Sequence, residues 1–309
     1  MLATTTKLTM GGHEVDTSPG AFGELEDSSH LIGDVGALRA RMAEEGYLFL
    51  RGYLYRDQVM AARLEVCRRL ALMGQIDAEQ HDLIDAIARP AEVSIEHRLS
   101  VVDGNQPLHK LLYDGRMIAF YEKFLGKPVG HYDHTWVRLC MPNQPATIPH
   151  CDVVYMGRGT HDLYTSWTPI GDAPIADGPL CVISRSHRIQ KLRDHYCQTD
   201  VDAVCTNRQK PDGTKMMQNP TFGELSRNPP RMRKALGLPF LTTDYEAGDL
   251  LIFTVFTIHC ALDNHGHRVR ISTDTRYQAA DEPQDDRWIS IKGAPPTMHE
   301  EASRREMIC

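Results

Sequence analysis

Apolar positions along the chain change their period once, and that change divides it in two. From Asp34 onward Val35, Leu38 and Met42 recur at helical spacing, and the pattern stops at Gly46, a residue suited to ending a helix. Tyr47-Leu48-Phe49-Leu50 is an apolar run of strand length, closed by Arg51-Gly52. A second helix is expected from Asp57 as N-cap, with Val59, Leu64, Cys67 and Leu70 apolar. Residues 78–98 read as partly helical with Pro90 interrupting, and Leu108 to Leu125 as one further helix that Gly126 stops. After Gly130 the period shortens to two. His131 to Cys140 is predicted as a strand in which His134, Trp136, Arg138 and Cys140 share one face and Val137 and Leu139 the other. Strand-like runs follow at Val153–Tyr155, Leu163–Pro169, Leu180–Ile183, Leu250–Thr257 and Val269–Gln278, divided by Pro, Gly, Asp and Asn. Helices first and many short strands afterwards predict a helical layer packed on a β-sandwich or barrel.

Two stretches lack periodicity. Residues 1–30, rich in Gly, Thr, Ser and Asp, read as a loose N-terminal arm. Residues 188–247 are polar and punctuated by Pro-Asp-Gly (211–213), Asn-Pro (219–220) and Asn-Pro-Pro (228–230), as expected of an insertion that serves as a lid or a surface excursion. No internal repeat or linker divides the rest, so residues 31–309 are expected to form a single domain, with the helical layer over 34–126.

Composition narrows the function. Among 309 residues, 34 Lys and Arg stand against 41 Asp and Glu, a net charge of −7 that argues against a nucleic-acid partner and an anionic membrane surface. The longest apolar stretch, Leu250 to Phe256, falls far short of the roughly 18 residues that span a bilayer. The N-terminus has no charged region followed by an apolar one, which argues for a cytoplasmic protein. None of the 8 cysteines forms a C-x-x-C, so zinc ribbons and redox pairs are excluded and free thiols expected. Nothing in the pattern speaks to oligomeric state. The 15 histidines are what need explaining.

His150-Cys151-Asp152 places two metal-capable side chains at i and i+2, on one face if the segment is a strand. His259 stands at the end of the apolar run that starts at Gly248-Asp249-Leu250, where it could approach the pair from across a sandwich. Two histidines and a carboxylate on one side of a metal leave the opposite positions open, the arrangement of non-haem Fe(II) oxygenases. Zinc suits the same donors, so a zinc-dependent hydrolase and a non-catalytic binding module stay open here, although no H-E-x-x-H is present. Eleven positions after His259, Arg270 and Ser272 share a strand face, a receptor suited to a carboxylate. Cys151 and Cys260 flank these residues but should point away from a metal if both segments are extended.

The chain resembles the phytanoyl-CoA dioxygenase-like family of Fe(II)/2-oxoglutarate-dependent oxygenases. The matching stretches are Glu45 to Gly52, His150-Cys151-Asp152, Ser166-Trp167-Thr168-Pro169, Asp177 to Ile183 running into Ser186-His187-Arg188, Gly248-Asp249-Leu250-Leu251, and His259 through Arg270-Ile271-Ser272 to Arg276-Tyr277, in the family's order. The resemblance implies a mainly β fold with flanking helices, a double-stranded β-helix (jelly-roll, cupin-like) core over 130–280 that carries the insertion. It implies Fe(II) on His150, Asp152 and His259, and 2-oxoglutarate held through its far carboxylate by Arg270 and Ser272, with Trp167 lining that pocket. Trp136 and Arg138 fall where such enzymes contact 2-oxoglutarate or substrate, and His134, Tyr155 and Arg158 are further candidates for the substrate pocket.

The implied reaction consumes O2 and 2-oxoglutarate, releases succinate and CO2, and hydroxylates a small organic substrate. Arg138, Arg158 and Arg185 point to an anionic one. Halogenating relatives carry a small residue where this chain has Asp152, so hydroxylation is expected. Desaturation, epoxidation and rearrangement on the same scaffold remain open. The chain departs from the family at Ser184-Arg185, where Pro-Gly usually precedes Ser-His.

Overall fold

The computed structural model describes residues 7–89, 95–144, 146–209, 211–213, 215–217, 223–298 and 306–307. The expected break at Pro90 and the Asn-Pro at 219–220 lie outside these residues.

Ten strands build the core: β1 (Phe22–Glu24), β2 (Tyr47–Leu50), β3 (Val129–His131), β4 (Trp136–Cys140), β5 (Tyr164–Pro169), β6 (Leu180–Ile183), β7 (Phe240–Thr242), β8 (Leu250–Thr254), β9 (His259–Ala261) and β10 (Arg270–Ala279). The larger sheet runs β2-β8-β5-β10, and the far edge of β10 carries β4 along Arg270–Asp274 and β3 along Tyr277–Ala279. The smaller sheet runs β9-β6-β7-β1, antiparallel except where β7 pairs parallel with β1. Tyr47, Phe49, Trp167, Leu251 and Phe253 of the larger sheet meet Leu180 and Val182 of the smaller one in a buried cluster between them.

Alternation along the strands sorts every residue of the larger sheet to one of two faces. Leu48, Leu50, Leu250, Ile252, Ile271 and Tyr277 pack outward against helices α1 (Val35–Glu45), α2 (Arg56–Leu72), α4 (Gln106–Tyr113) and α5 (Gly115–Leu125), which, with α3 (Ile95–Val102), form the helical layer. The inward face of β10 therefore carries Arg270, Ser272, Asp274 and Arg276, all buried. Charge on a buried face is costly without partners, so this row marks where ligands belong.

Local chemistry explains several boundaries. The Asp34 side chain accepts from Ala37 N at 3.0 Å and starts α1. Gly46 ends α1 at φ 81°, where a Cβ would stand 2.3 Å from His187 Nδ1, so only glycine fits. The helix expected over 108–125 is two helices, because Asp114 is extended (φ −147°) and its carboxylate accepts from Gly115 N. α2 begins at Arg56 with Tyr55, not Asp57, at its cap. The strand expected over 131–140 is interrupted between β3 and β4, and Val153–Met156 is a helical turn rather than a strand. Arg185, which stands where the family's glycine would, adopts φ 63°, and its side chain is tied to Glu45 (Nη2–Oε1 2.7 Å), not to the cavity mouth.

The N-terminal segment is not loose from residue 7 onward. Thr9–Met10 pairs with His13–Glu14, Met10 is fully buried, and β1 is the edge of the smaller sheet. The stretch 188–247 is not wholly an insertion either, since it contains β7, an inner strand of that sheet. Among the described residues six cysteines are free and no helix is long and apolar enough to cross a membrane.

Candidate active site

His150 and His259 sit directly opposite one another across an antiparallel bridge, exchanging two backbone hydrogen bonds of 3.2 and 3.1 Å. Opposed residues of such a pair point the same way, and the two imidazole centroids are 4.2 Å apart. Each Nδ1 faces a carbonyl two residues back, Ile148 O at 2.9 Å and Thr257 O at 3.1 Å. Those contacts place the ring proton on Nδ1 and turn the Nε2 lone pair inward, as a metal ligand requires.

Asp152 completes the set from a helical conformation (φ −62°, ψ −28°) at the start of the Val153–Met156 turn, not from a strand. Its Oδ1 lies 3.7 Å from His150 Nε2 and 3.6 Å from His259 Nε2. Three donor atoms fall within 4.8 Å of one another. Oδ2 accepts from Thr165 Oγ1 at 2.5 Å and Arg276 Nη2 at 2.9 Å.

The electrostatics suit a cation. Burial, reinforced by the neighbouring His259, pushes the His150 imidazole down to about 3, so it is neutral near pH 7. Burial works against the Asp152 carboxylate, but Arg276 and the two histidines hold it well below the usual carboxylate range. A neutral imidazole and an ionised carboxylate are the forms of these two groups that bind metal. Cys151 and Cys260 are buried in the apolar cluster behind the site, the Cys151 thiol against Phe256 O at 3.3 Å.

Further along the inward face of β10, Arg270 is 5% exposed and donates to Gly178 O at 3.0 Å and Ser272 Oγ at 2.6 Å. Among the described residues no carboxylate pairs with it. Gly178 adopts φ 74°, and a Cβ there would stand 2.5 Å from Leu262 O, so the carbonyl that anchors Arg270 depends on glycine. The guanidinium carbon lies 5.7 Å from the centre of the Trp167 ring, and the buried Trp167 Nε1 has no hydrogen-bond partner among the described residues. A buried cation without a counter-charge beside an orphaned N–H fits a dianionic cosubstrate, as the His-Asp-His donors fit iron.

His150 and Asp152 open onto a cavity of about 460 Å³. Trp136, Arg138 and Tyr155 line it. Burial disfavours the charge on Arg138, but Asp274 (Nε–Oδ2 2.6 Å) more than offsets this and raises its affinity for the proton. Two expected residues are elsewhere. Arg158 pairs with Asp200 at 2.7 Å in a separate, smaller cavity, because the helical turn after Asp152 carries it away. His134 precedes β4 and packs behind Trp136 at 4.4 Å, outside the cavity wall.

Sequence reasoning missed Arg276, Trp288 and Glu224, which also line the cavity. Strand parity signals Arg276, an even number of positions beyond Arg270. Trp288 lies past the expected core boundary and packs 4.7 Å from Trp136, with no local signal. Glu224 arrives from the stretch read as a lid, where Leu225 N donates to Pro149 O at 2.8 Å.

Fold and donors together define a jelly-roll, cupin-like metalloenzyme of the oxygenase type. The chain belongs to the phytanoyl-CoA dioxygenase family: the profile described as Phytanoyl-CoA dioxygenase (PhyH) matches residues 42–272. It is similar to 1-deoxypentalenic acid 11-beta-hydroxylase of Streptomyces exfoliatus, 27% identical over 267 residues that span 82% of this chain and 84% of that protein. Its fold matches the non-heme alpha ketoglutarate dependent carbocyclase SnoK from nogalamycin biosynthesis (TM-score 0.57, 16% identity, 91% and 94% of the two chains). It also matches EctD from S. alaskensis with 2-oxoglutarate and 5-hydroxyectoine (TM-score 0.56, 14% identity, 99% and 97%). The enzyme is a non-haem iron, 2-oxoglutarate-dependent oxygenase, and the zinc-hydrolase and binding-module readings fall away.

Proposed function

We propose that the enzyme hydroxylates a small organic substrate bearing an anionic group, with His150, Asp152 and His259 as the iron ligands. The observation that carries this reading is the intact third donor: the Asp152 carboxylate stands between both imidazoles, where a halogenating site would need space. Iron(II) with 2-oxoglutarate and O2 supplies the oxidation of a C–H bond, and 2-oxoglutarate leaves as succinate and CO2.

The protein's own groups do the positioning. Ile148 O and Thr257 O orient the two imidazoles, and Thr165 and Arg276 hold Asp152. Arg270, with Ser272 and Trp167, receives the far carboxylate of 2-oxoglutarate. Trp136, Trp288 and Tyr155 shield the cavity from water and offer an apolar wall to the substrate's body. Arg138, whose Nε is held by Asp274, turns its remaining guanidinium donors to a substrate anion. A relative named for a carboxylic acid substrate supports an anionic group here as well. Free, largely buried thiols support a cytoplasmic setting.

The test is incubation with Fe(II), ascorbate, O2, labelled 2-oxoglutarate and a panel of small carboxylic acids. Expected are succinate formation, an added oxygen in the product and no turnover by His150→Ala. A dehydrogenated, epoxidised or rearranged product would replace hydroxylation with that reaction. Absence of succinate with every acid, in a protein that binds iron and 2-oxoglutarate, would overturn the reading of the substrate as an acid.

A further inference from the structure

Arg276 is 1% exposed, yet no carboxylate other than Asp152 pairs with it among the described residues. It lies directly opposite Thr165 in the register of β10 against β5, so the two inward side chains stand side by side. Both donate to the same atom, Asp152 Oδ2, at 2.9 and 2.5 Å. Trp136 covers the guanidinium at 4.1 Å, and Nη1 reaches Asp274 O at 3.4 Å. The guanidinium is thus held on several sides, and Oδ1 alone is left for the two imidazoles.

A carboxylate can take one metal position or two. One protein atom from each of three ligands leaves room for a chelating cosubstrate and O2, whereas a second oxygen from Asp152 would occupy a position that one of them needs. Since Oδ2 already accepts two hydrogen bonds, one of them charge-assisted, turning it to a metal would leave two buried donors unpaired.

We propose that Arg276 is a positioning residue that, with Thr165, locks Asp152 into single-oxygen coordination and so keeps a metal position open for 2-oxoglutarate. The inference rests on Asp152 being a ligand, and it assigns Arg276 a duty distinct from that of Arg270, which grips the other end of the same cosubstrate. Arg276 lies on the cavity wall as well, so a contact with substrate is the competing explanation.

Cobalt(II) is a suitable probe, because its visible absorption reports coordination number without turnover. Titration of the cobalt-loaded wild type, Arg276→Gln, Arg276→Lys and Thr165→Val with 2-oxoglutarate separates the possibilities. Expected in Arg276→Gln is an altered cobalt spectrum and a 2-oxoglutarate affinity lowered on the order of tenfold or more, with cobalt affinity reduced by a smaller factor. Arg276→Lys, which keeps a charged donor, should recover part of the loss. Thr165→Val should shift the spectrum in the same direction, which keeps the inference testable if Arg276→Gln does not fold. An unchanged spectrum and 2-oxoglutarate affinity, with only the KM for substrate raised, would make Arg276 a substrate contact and overturn the proposal. Equal loss of cobalt and 2-oxoglutarate would make it merely structural and overturn it as well. If Asp152→Ala bound cobalt like the wild type, the ligand reading itself would fail, a result distinct from either.

Discussion

Arg270→Met isolates the cosubstrate grip from the metal. In the wild type Arg270 is 5% exposed and its guanidinium is bonded to Gly178 O and Ser272 Oγ, with no carboxylate paired to it among the described residues. Its charge is therefore balanced only when an anion arrives. Truncating one partner of a buried, hydrogen-bonded charge pair costs about 2–5 kcal/mol. At about 1.4 kcal/mol per tenfold, the Kd for 2-oxoglutarate should rise from about 30-fold to a few thousand-fold. Ligand-free stability should move much less, because losing the bond to Gly178 O is offset by removing a buried charge that lacks a partner. Arg270→Lys should fall between, since an ammonium keeps the charge but not the planar fork. The assay is anaerobic calorimetry of 2-oxoglutarate into the metal-loaded protein, with metal affinity measured separately and thermal unfolding of each metal-free variant. If metal and 2-oxoglutarate affinities dropped by equal factors, or unfolding shifted as far as binding, Arg270 would be a structural residue and the assignment of the grip would be refuted.

Arg138→Ala should raise the KM for substrate at least tenfold, while Arg158→Ala leaves steady-state kinetics near wild type, because Arg158 faces a different cavity. Similar kinetic losses in both would contradict the cavity's boundaries. Gly46→Ala should destabilise the fold by about 2–5 kcal/mol, combining a left-handed backbone with overpacking against His187, and an unchanged unfolding temperature would rule out the close approach. Burial lowers the pKa of His187, with the Ala43 carbonyl pulling the other way. Below about pH 6.5 the unfolded chain therefore takes up a proton that the native state does not. Stability is full above that value and falls as the pH drops towards the lowered native pKa. His187→Gln should flatten that slope in denaturant unfolding followed between about pH 5 and pH 8, and an identical slope would mean that His187 titrates alike in both states.

The sequence specified a great deal locally. The helical spacing of Val35, Leu38 and Met42 places α1, and alternation over Trp136 to Cys140 separates the residues facing the cavity from those facing the helices. Order and spacing of His150, Asp152, His259 and Arg270 alone point to the metal and cosubstrate chemistry. Where local signals compete, the prediction slipped: Asp114 splits a continuous helical pattern, and Val153-Val154-Tyr155, β-branched and aromatic, folds as a helical turn. That turn is what swings Asp152 towards the histidines and Arg158 away from them.

By itself, then, the chain determined which faces are apolar, which residue types could bind a metal, and the family to which it belongs. Only the tertiary structure decided that His150 lies opposite His259, that Thr165 and Arg276 meet on one oxygen of Asp152, and that Trp288 closes the wall beside Trp136. The physical reason is register. Alternation assigns a side chain to a face, but which strands pair, and at what offset, is set by packing between residues up to more than a hundred positions apart.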